Sequence, residues 1–277
     1  MLRATVRKRL ARASGLIFLS DFDGTLTPIV ERPETARLSP TARAILTRLS
    51  LHPHVRVGIL SGRSLSTLKR LVRVPDAAYA GCHGLEIAWR GRRFRHPRAA
   101  ALSPILRRTA RRLRRQAFRL RGAIVEPTGL TVGLHYRRAD PVIVPRLRRL
   151  ARDVARRAPG LEILQGKKVL ELRPRIGWGR GEAALLMRNW LATSLGRGTP
   201  VTVYLGDDRT DEEVFRALHR KAMCIAVGRR RTCAPFRLSG PAAVQALLAW
   251  LSEALEPAAP VRRSGGRGGR GNHGGGA

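Results

Sequence analysis

Two aspartates that directly follow a short apolar segment constrain the fold of this chain more than any other feature. Residues 15–19 form a short apolar run that begins with a glycine, and Asp21 and Asp23 come just after it. An apolar run of this length predicts a buried β-strand. Because side chains alternate along a strand and the backbone turns at its end, both carboxylates should converge on one point beyond the carboxyl end.

The charge of two converging carboxylates restricts what they can do. They repel each other unless a cation lies between them, and a set of oxygen ligands favours Mg²⁺. One carboxylate of such a pair can attack phosphorus while its neighbour transfers a proton. The alternative is that Asp21 and Asp23 only form a turn and cap a helix.

A second β-rich run, residues 201–205, ends in a concentration of acidic side chains. The chain has only 19 Asp and Glu residues against 54 Lys and Arg. Five of those acids lie within seven positions: Asp207, Asp208, Asp211, Glu212 and Glu213. A solvated turn gives no reason to concentrate acids in a chain so poor in them, so the two clusters together favour a functional site.

The formal charge of +35 on 277 residues has two explanations. One is binding to nucleic acid or to an anionic membrane surface. The other is a general bias toward arginine, which is spread along the whole chain. Few aromatic residues alternate with the basic ones, which favours the bias and predicts at most nonspecific contact with nucleic acid.

Cysteines and apolar segments bear on the compartment. Cys82, Cys224 and Cys233 show neither metal nor redox spacing, which is typical of a reducing compartment. No apolar stretch approaches 18 residues, so no membrane span is expected. No signal-peptide core follows the basic first 14 residues. The sequence therefore predicts a cytoplasmic protein.

Strand and helix signals alternate along the chain, which predicts an α/β fold: a Rossmann-like parallel sheet with helices on both faces. Ser39 and Ser64 are predicted helix N-caps. Predicted core strands cover residues 16–20, 55–60, 77–80, 201–205 and, as the last strand, 223–227. The predicted parts are a basic segment (1–14), a core (15–94), an inserted α/β domain (95–173), the rest of the core (174–256) and a disordered Gly/Arg-rich tail (257–277).

Four short motifs follow one another in the order typical of the haloacid dehalogenase superfamily of phosphotransferases. They are D-F-D-G-T at 21–25, Ser61 at a strand end, Arg180 between two glycines, and G-D-D-R-T-D-E at 206–212. Further segments resemble the trehalose-6-phosphate phosphatase family: residues 81–86, 134–137, 165–167 and 170–174. The resemblance implies a Rossmann-like core with the insert as a cap domain, and it covers nearly the whole chain apart from its ends.

The resemblance also implies a role for each matching residue. Asp21 is the expected nucleophile and Asp23 the general acid and base, while Ser61 and Arg180 hold the phosphoryl group. The expected ligands of Mg²⁺ are Asp21, the main-chain carbonyl of Asp23, and Asp207, with Asp208 and Asp211 completing or orienting them. The residues expected to bind the substrate are Arg63, Glu126, Arg137 and Glu171.

Two departures from the family pattern concern lysines. The family usually has E-x-K where this chain has Glu126-Pro127-Thr128, and K-G where it has Arg180-Gly181. Arginine keeps the positive charge and adds a fork suited to phosphate. The expected activity is hydrolysis of trehalose 6-phosphate in trehalose biosynthesis. Because of Thr128, a related sugar-phosphate phosphatase, such as one acting on a glycosyl-phosphoglycerate, remains an alternative. Because of the high positive charge, a basic nucleic-acid-binding protein remains a second alternative.

Overall fold

The computed structural model describes residues 1–31 and 33–255. Its strands are β1 Leu16–Asp21, β2 Val55–Leu60, β3 Ala78–Gly81, β4 Glu86–Trp89, β5 Arg92–Arg95, β6 Ile124–Pro127, β7 Val132–His135, β8 Leu161–Gly166, β9 Val169–Pro174, β10 Val201–Gly206, β11 Met223–Val227 and β12 Phe236–Leu238. Its helices are α1 Leu2–Leu10, α2 Pro40–Leu51, α3 Leu65–Val72, α4 Pro97–Ala101, α5 Ser103–Ala117, α6 Val144–Arg156, α7 Arg180–Thr193, α8 Asp211–Ala217 and α9 Pro241–Ala254. The predicted Gly/Arg-rich tail lies outside the described residues.

The core is an eight-stranded sheet in the order β12-β11-β10-β1-β2-β3-β4-β5. The first six strands are parallel, and β4 and β5 add an antiparallel edge. Apolar residues of α1, α2, α3 and α9 pack on one face, and those of α7 and α8 pack on the other. Short apolar strands covered on both faces are what a parallel sheet requires, and the predicted α/β class is confirmed.

Polar caps define where two of the core helices begin. The Ser39 hydroxyl accepts a hydrogen bond from the Ala42 amide at 3.1 Å, with Pro40 at the first helical position. The Ser64 hydroxyl accepts one from the Thr67 amide at 3.2 Å. Both predicted N-caps are confirmed, and Ser61 is therefore not needed as a helix cap.

Three core elements differ from the expectation. The basic segment 1–14 contains α1, whose Val6 is buried and whose Arg3 and Arg7 lie 5.8 and 5.9 Å from the ring centroid of Trp250. The β4–β5 hairpin was not predicted, because β5 carries three arginines and no apolar alternation. The prediction that 223–227 is the last strand is wrong: the three-residue β12 pairs in parallel with β11.

The insert forms a separate antiparallel sheet in the order β6-β7-β9-β8, with α5 and α6 packed on one face. Helix α5 buries residues such as Leu106 and Leu113 and exposes most of its arginines to solvent. In β9, Leu170 and Leu172 point into this small core, so Val169 and Glu171 point to the opposite face. No helix in the described part of the chain is both long and apolar enough to cross a membrane.

Candidate active site

A cavity of about 210 Å³ lies between the core sheet and the face of the β6-β7-β9-β8 sheet that α5 and α6 leave uncovered. We refer to the insert that carries this second sheet as the cap. Its floor is the carboxyl edge of three neighbouring parallel strands, where Asp21 ends β1, Ser61 follows β2 and Asp207 follows β10. This edge is where open α/β sheets bind ligands. The predicted site residues all line the cavity: Asp21, Asp23, Ser61, Arg63, Glu126, Arg137, Glu171, Arg180, Asp207 and Asp208.

A cluster of three carboxylates lies at the floor. Asp21, Asp207 and Asp211 each offer an oxygen within 4.8 Å of the others. The approach of Asp207 requires a glycine at position 24, because a Cβ there would lie 2.3 Å from the Asp207 Oδ2 atom and the φ angle is +92°. The turn of the first motif therefore brings the acids of the first and fourth motifs together.

The electrostatics of this cluster suit a divalent cation. Burial raises the pKa of Asp21 well above its usual value, against the opposing charge of Arg180, and the carboxylates of Asp211, Asp207 and Asp23 raise it further. Asp21 Oδ2 is buried and has no hydrogen-bond partner among the described residues. A cation would satisfy this oxygen and relieve the repulsion, so the oxygen donors present fit a divalent metal ion.

Asp211, rather than Asp208, joins Asp21 and Asp207 in this cluster. Asp211 is fully buried, and its Oδ2 accepts hydrogen bonds from the main-chain amides of Asp207 and Asp208, both at 2.9 Å. Asp208 instead lies 3.7 Å from Arg230 at the edge of the cavity. Asp211 thus orders the loop that carries Asp207 and Asp208. Metal ligation by Asp208 remains a prediction.

Arg180, the first residue of α7, connects the carboxylates. Its Nη1 donates to Asp21 Oδ1 at 2.6 Å and to Asp211 Oδ1 at 2.9 Å, and its Nε donates to His83 Nδ1 at 3.2 Å. Burial alone would lower the pKa of Arg180, but Asp21 and Asp211 hold that pKa well above its usual value. A permanently charged guanidinium therefore lies beside the expected nucleophile.

Arg63 contacts Asp23 in a bidentate ion pair. Its Nε and Nη2 donate to the two carboxylate oxygens at 2.8 and 2.7 Å, and its guanidinium lies 5.7 Å from the ring centroid of Phe22. The Arg63 amide donates to the Ser61 hydroxyl at 3.2 Å. Arg63 was predicted as a substrate-binding residue; its observed partner is the expected acid and base, which it orients.

The two cap carboxylates each contact a histidine. Glu126 accepts from His135 Nε2 at 2.8 Å, and this hydrogen bond lowers the pKa of Glu126 despite its burial. Burial would raise the pKa of Glu171, yet its contacts with His83 and Thr131, both at 2.5 Å, hold that pKa below its usual value. Both groups are therefore held as carboxylates on the cap side of the cavity.

A family model described as trehalose-phosphatase matches residues 19–241. The chain belongs to the trehalose-phosphatase family. A trehalose-phosphate phosphatase of Mycobacterium tuberculosis (strain H37Rv) is 36% identical over 259 residues, which cover 91% of this chain and 64% of that protein. One from Mycobacterium marinum is 38% identical over 233 residues, which cover 81% and 58%. The chain thus spans less than two thirds of the length of these curated relatives.

Solved structures agree with this family assignment. A trehalose-6-phosphate phosphatase related protein is 26% identical, with a TM-score of 0.76 over 86% of this chain and 97% of that one. Aspergillus fumigatus trehalose-6-phosphate phosphatase is 28% identical, with a TM-score of 0.61 over 91% and 97%. A haloacid dehalogenase-like hydrolase from Bacteroides thetaiotaomicron, 15% identical with a TM-score of 0.57 over 86% and 99%, shares the fold. The predicted family and fold class are confirmed.

In this member of the family, several contacts were not predicted from the sequence. Lys167 of the cap places its Nζ 2.5 Å from Asp207 Oδ2, and His83 contacts both Arg180 and Glu171. The sequence did hold a signal for both residues, because His83 lies in the family-like segment 81–86 and Lys167 lies in the family-like segment 165–167. Arg137 is exposed and donates to the Lys167 carbonyl at 3.0 Å, at the rim of the cavity.

Proposed function

We propose that the chain is a Mg²⁺-dependent phosphatase that hydrolyses trehalose 6-phosphate to trehalose and phosphate. One observation carries the proposal: a buried Asp21, contacted by Arg180 and grouped with Asp207 and Asp211, faces a cap with two ionised carboxylates, Glu126 and Glu171, across one cavity. The floor suits a phosphoryl group and a cation, and the cap suits sugar hydroxyls.

The proposed reaction has two steps. In the first, a carboxylate oxygen of Asp21 bonds to phosphorus, the bond from phosphorus to the sugar oxygen breaks, and Asp23 gives its proton to that oxygen. In the second, a water oxygen attacks phosphorus, Asp23 takes the water proton, and the bond from phosphorus to Asp21 breaks. Phosphate leaves, and both aspartates return to their starting forms.

Other residues of the floor hold these groups in place. Arg63 orients Asp23, and Arg180 and Ser61 donate hydrogen bonds to the phosphoryl oxygens. Asp21, Asp207 and the main-chain carbonyl of Asp23 would hold Mg²⁺, with Asp208 and Asp211 completing or orienting the set. When bound, Mg²⁺ supplies positive charge that stabilises the phosphoryl oxygens.

The cap is proposed to select the substrate. Glu126 and Glu171 accept hydrogen bonds from sugar hydroxyls, and Arg137 adds a donor at the rim. Thr128 lines the same cavity, and its short neutral side chain leaves a different sugar phosphate as the second candidate substrate. We place the reaction in the cytoplasm, in keeping with the free cysteines, and propose that contact with nucleic acid is nonspecific.

Phosphate release across a panel of sugar phosphates tests the proposal. We expect the parent protein to prefer trehalose 6-phosphate, to lose activity when EDTA removes Mg²⁺, and to lose turnover in Asp21→Asn, because an amide is a poor nucleophile. Hydrolysis of another sugar phosphate in preference would contradict the substrate. Appreciable turnover by purified Asp21→Asn, in a preparation free of contaminating phosphatase, would contradict the mechanism.

A further inference from the structure

His83 lies on a strained loop that packs against two of the motif segments. The φ angles of Cys82, His83 and Gly84 are 50°, 56° and 87°, all in the left-handed region. The Cys82 amide donates to the Arg63 carbonyl at 2.7 Å, and the His83 amide donates to the Ser61 carbonyl at 3.0 Å. A Cβ at position 84 would lie 2.1 Å from Ala183 of α7. Strain that surrounding contacts maintain in this way is typical of functional sites.

The hydrogen bonds of the imidazole determine which nitrogen carries the proton. The Nε of Arg180 is always protonated and can only donate, so His83 Nδ1 must accept. The proton of the neutral ring then lies on Nε2, which donates to Glu171 Oε2 at 2.5 Å. The ring is buried, and a Cβ at position 62 would lie 2.7 Å from its Nε2, so Gly62 provides the space for it.

These contacts form one continuous path from the cap to the floor of the site. Glu171 of the cap contacts His83, His83 contacts Arg180, and Arg180 contacts Asp21. We propose that His83 is a positioning residue that holds Arg180 against Asp21 and couples this arrangement to Glu171 of the cap. The role in turnover rests on the proposed function; the contacts themselves do not.

The coupling depends on arginine at position 180. Arg180 donates through Nε to His83 and through Nη1 to Asp21 and Asp211 at the same time. A lysine has a single nitrogen at the end of its side chain and lacks a donor at the position of Nε. A lysine at this position would therefore contact the carboxylates without contacting His83.

Two substitutions of His83 separate its two contacts. In His83→Asn the amide oxygen replaces the acceptor Nδ1, so the contact with Arg180 is retained and the contact with Glu171 is lost; Asn also tolerates the left-handed backbone. In His83→Gln the amide nitrogen replaces the donor Nε2, so the contact with Glu171 is retained and the contact with Arg180 is lost. The first variant disturbs the cap side of the site, and the second disturbs the side that holds the phosphoryl group.

Steady-state kinetics on trehalose 6-phosphate provide the first test. We expect His83→Asn to raise KM about tenfold with little change in kcat, and His83→Gln to lower kcat about tenfold with little change in KM. In an Arg180→Lys background, the effect of His83→Gln on kcat should shrink to about twofold or less. The proposal would be overturned if both His83 variants changed KM and kcat in the same way, or if His83→Gln lowered kcat as strongly in the Arg180→Lys background as in the parent. Either result would leave His83 with a packing role only.

A second test measures the protonation of His83 directly and needs no enzyme activity. It therefore remains informative if a His83 variant does not fold or if the parent protein does not hydrolyse trehalose 6-phosphate. Long-range ¹H–¹⁵N NMR of the histidine side chains in the parent protein should show His83 neutral with the proton on Nε2. The His83 signal should change in Arg180→Lys. The expected signal of the parent protein does not depend on which sugar phosphate is the substrate. A proton on Nδ1, or no response to Arg180→Lys, would overturn the inferred contact with Arg180.

Discussion

The ion pair between Lys167 and Asp207 leads to a quantitative prediction about metal affinity. Lys167 lies in the turn between β8 and β9, and its Nζ is 2.5 Å from Asp207 Oδ2. The side chain of Asp207 is 7% exposed and that of Lys167 is 41% exposed. Burial raises the pKa of Asp207, and the hydrogen bond and charge of Lys167 oppose that rise. The ammonium therefore neutralises a group that is also an expected metal ligand.

A divalent cation that binds Asp207 must displace this ammonium or share the carboxylate with it. Exposed ion pairs contribute about 0.2–1 kcal/mol; a pair with one buried partner should contribute more, about 1–2 kcal/mol. Removing the lysine should remove that competition. At about 1.4 kcal/mol per factor of ten, Lys167→Met should bind Mg²⁺ roughly 5–30 times more tightly than the parent protein.

Isothermal titration calorimetry of metal-stripped protein with Mg²⁺, without substrate, measures the effect. Lys168→Met is the matched control, because it removes the same charge from the next residue, which has no ion pair within the part of the chain that the structure describes. All three proteins are titrated at one pH, near 8, because losing Lys167 leaves the burial of Asp207 unopposed and thereby raises its pKa. The competition argument is refuted if the two variants bind Mg²⁺ equally tightly, or if Lys167→Met binds it more weakly than the parent.

Three further predictions concern neighbouring residues. In the same calorimetry, Asp207→Asn should weaken Mg²⁺ binding at least tenfold and Asp208→Asn less than threefold, since only Asp207 belongs to the buried cluster; the reverse order would support Asp208 as the ligand. Thr128→Lys should lower KM for trehalose 6-phosphate by about tenfold or more, through a charged hydrogen bond of about 1.5–3 kcal/mol, and an unchanged or higher KM contradicts this. Glu126 has a folded-state pKa below its usual 4.5, so its contribution to stability is present above pH 4.5 and is lost as the pH falls through the folded-state pKa. Chemical unfolding of Glu126→Gln should therefore show its largest deficit at neutral pH and a shrinking one in acid, while a constant deficit would show that ionisation of Glu126 plays no part.

The floor of the site was largely predictable because its chemistry follows the core strands in sequence. Asp21, Ser61 and Asp207 each come directly after, or at the end of, an apolar run. Parallel strands align their carboxyl ends, so residues far apart in sequence meet at one edge. The sequence could not show that Asp211 rather than Asp208 joins the cluster, because that depends on the loop geometry imposed by the first turn of α8.

The contacts between distant segments around the cavity were not predictable from the sequence. The pairs Arg63–Asp23 and Lys167–Asp207 join segments that only the tertiary structure brings together. Local patterns indicate which face of a strand is apolar, but not which charged group lies opposite its polar face. The short strands β5 and β12 were missed for a related reason: β5 has no apolar alternation and that of β12 covers only three residues, so both depend on pairing with an adjacent strand.

The two departures from the family pattern meet at Glu171. The Thr128 hydroxyl bonds to the Thr131 hydroxyl at 2.7 Å, and Thr131 donates to Glu171 Oε1. On the other side, Arg180 contacts His83, which donates to Glu171 Oε2. Each carboxylate oxygen thus has one protein donor and keeps a lone pair for a sugar hydroxyl. Where the family usually has two lysines, this chain holds one cap carboxylate from both sides, so we expect Glu171 to determine which sugar phosphate it prefers.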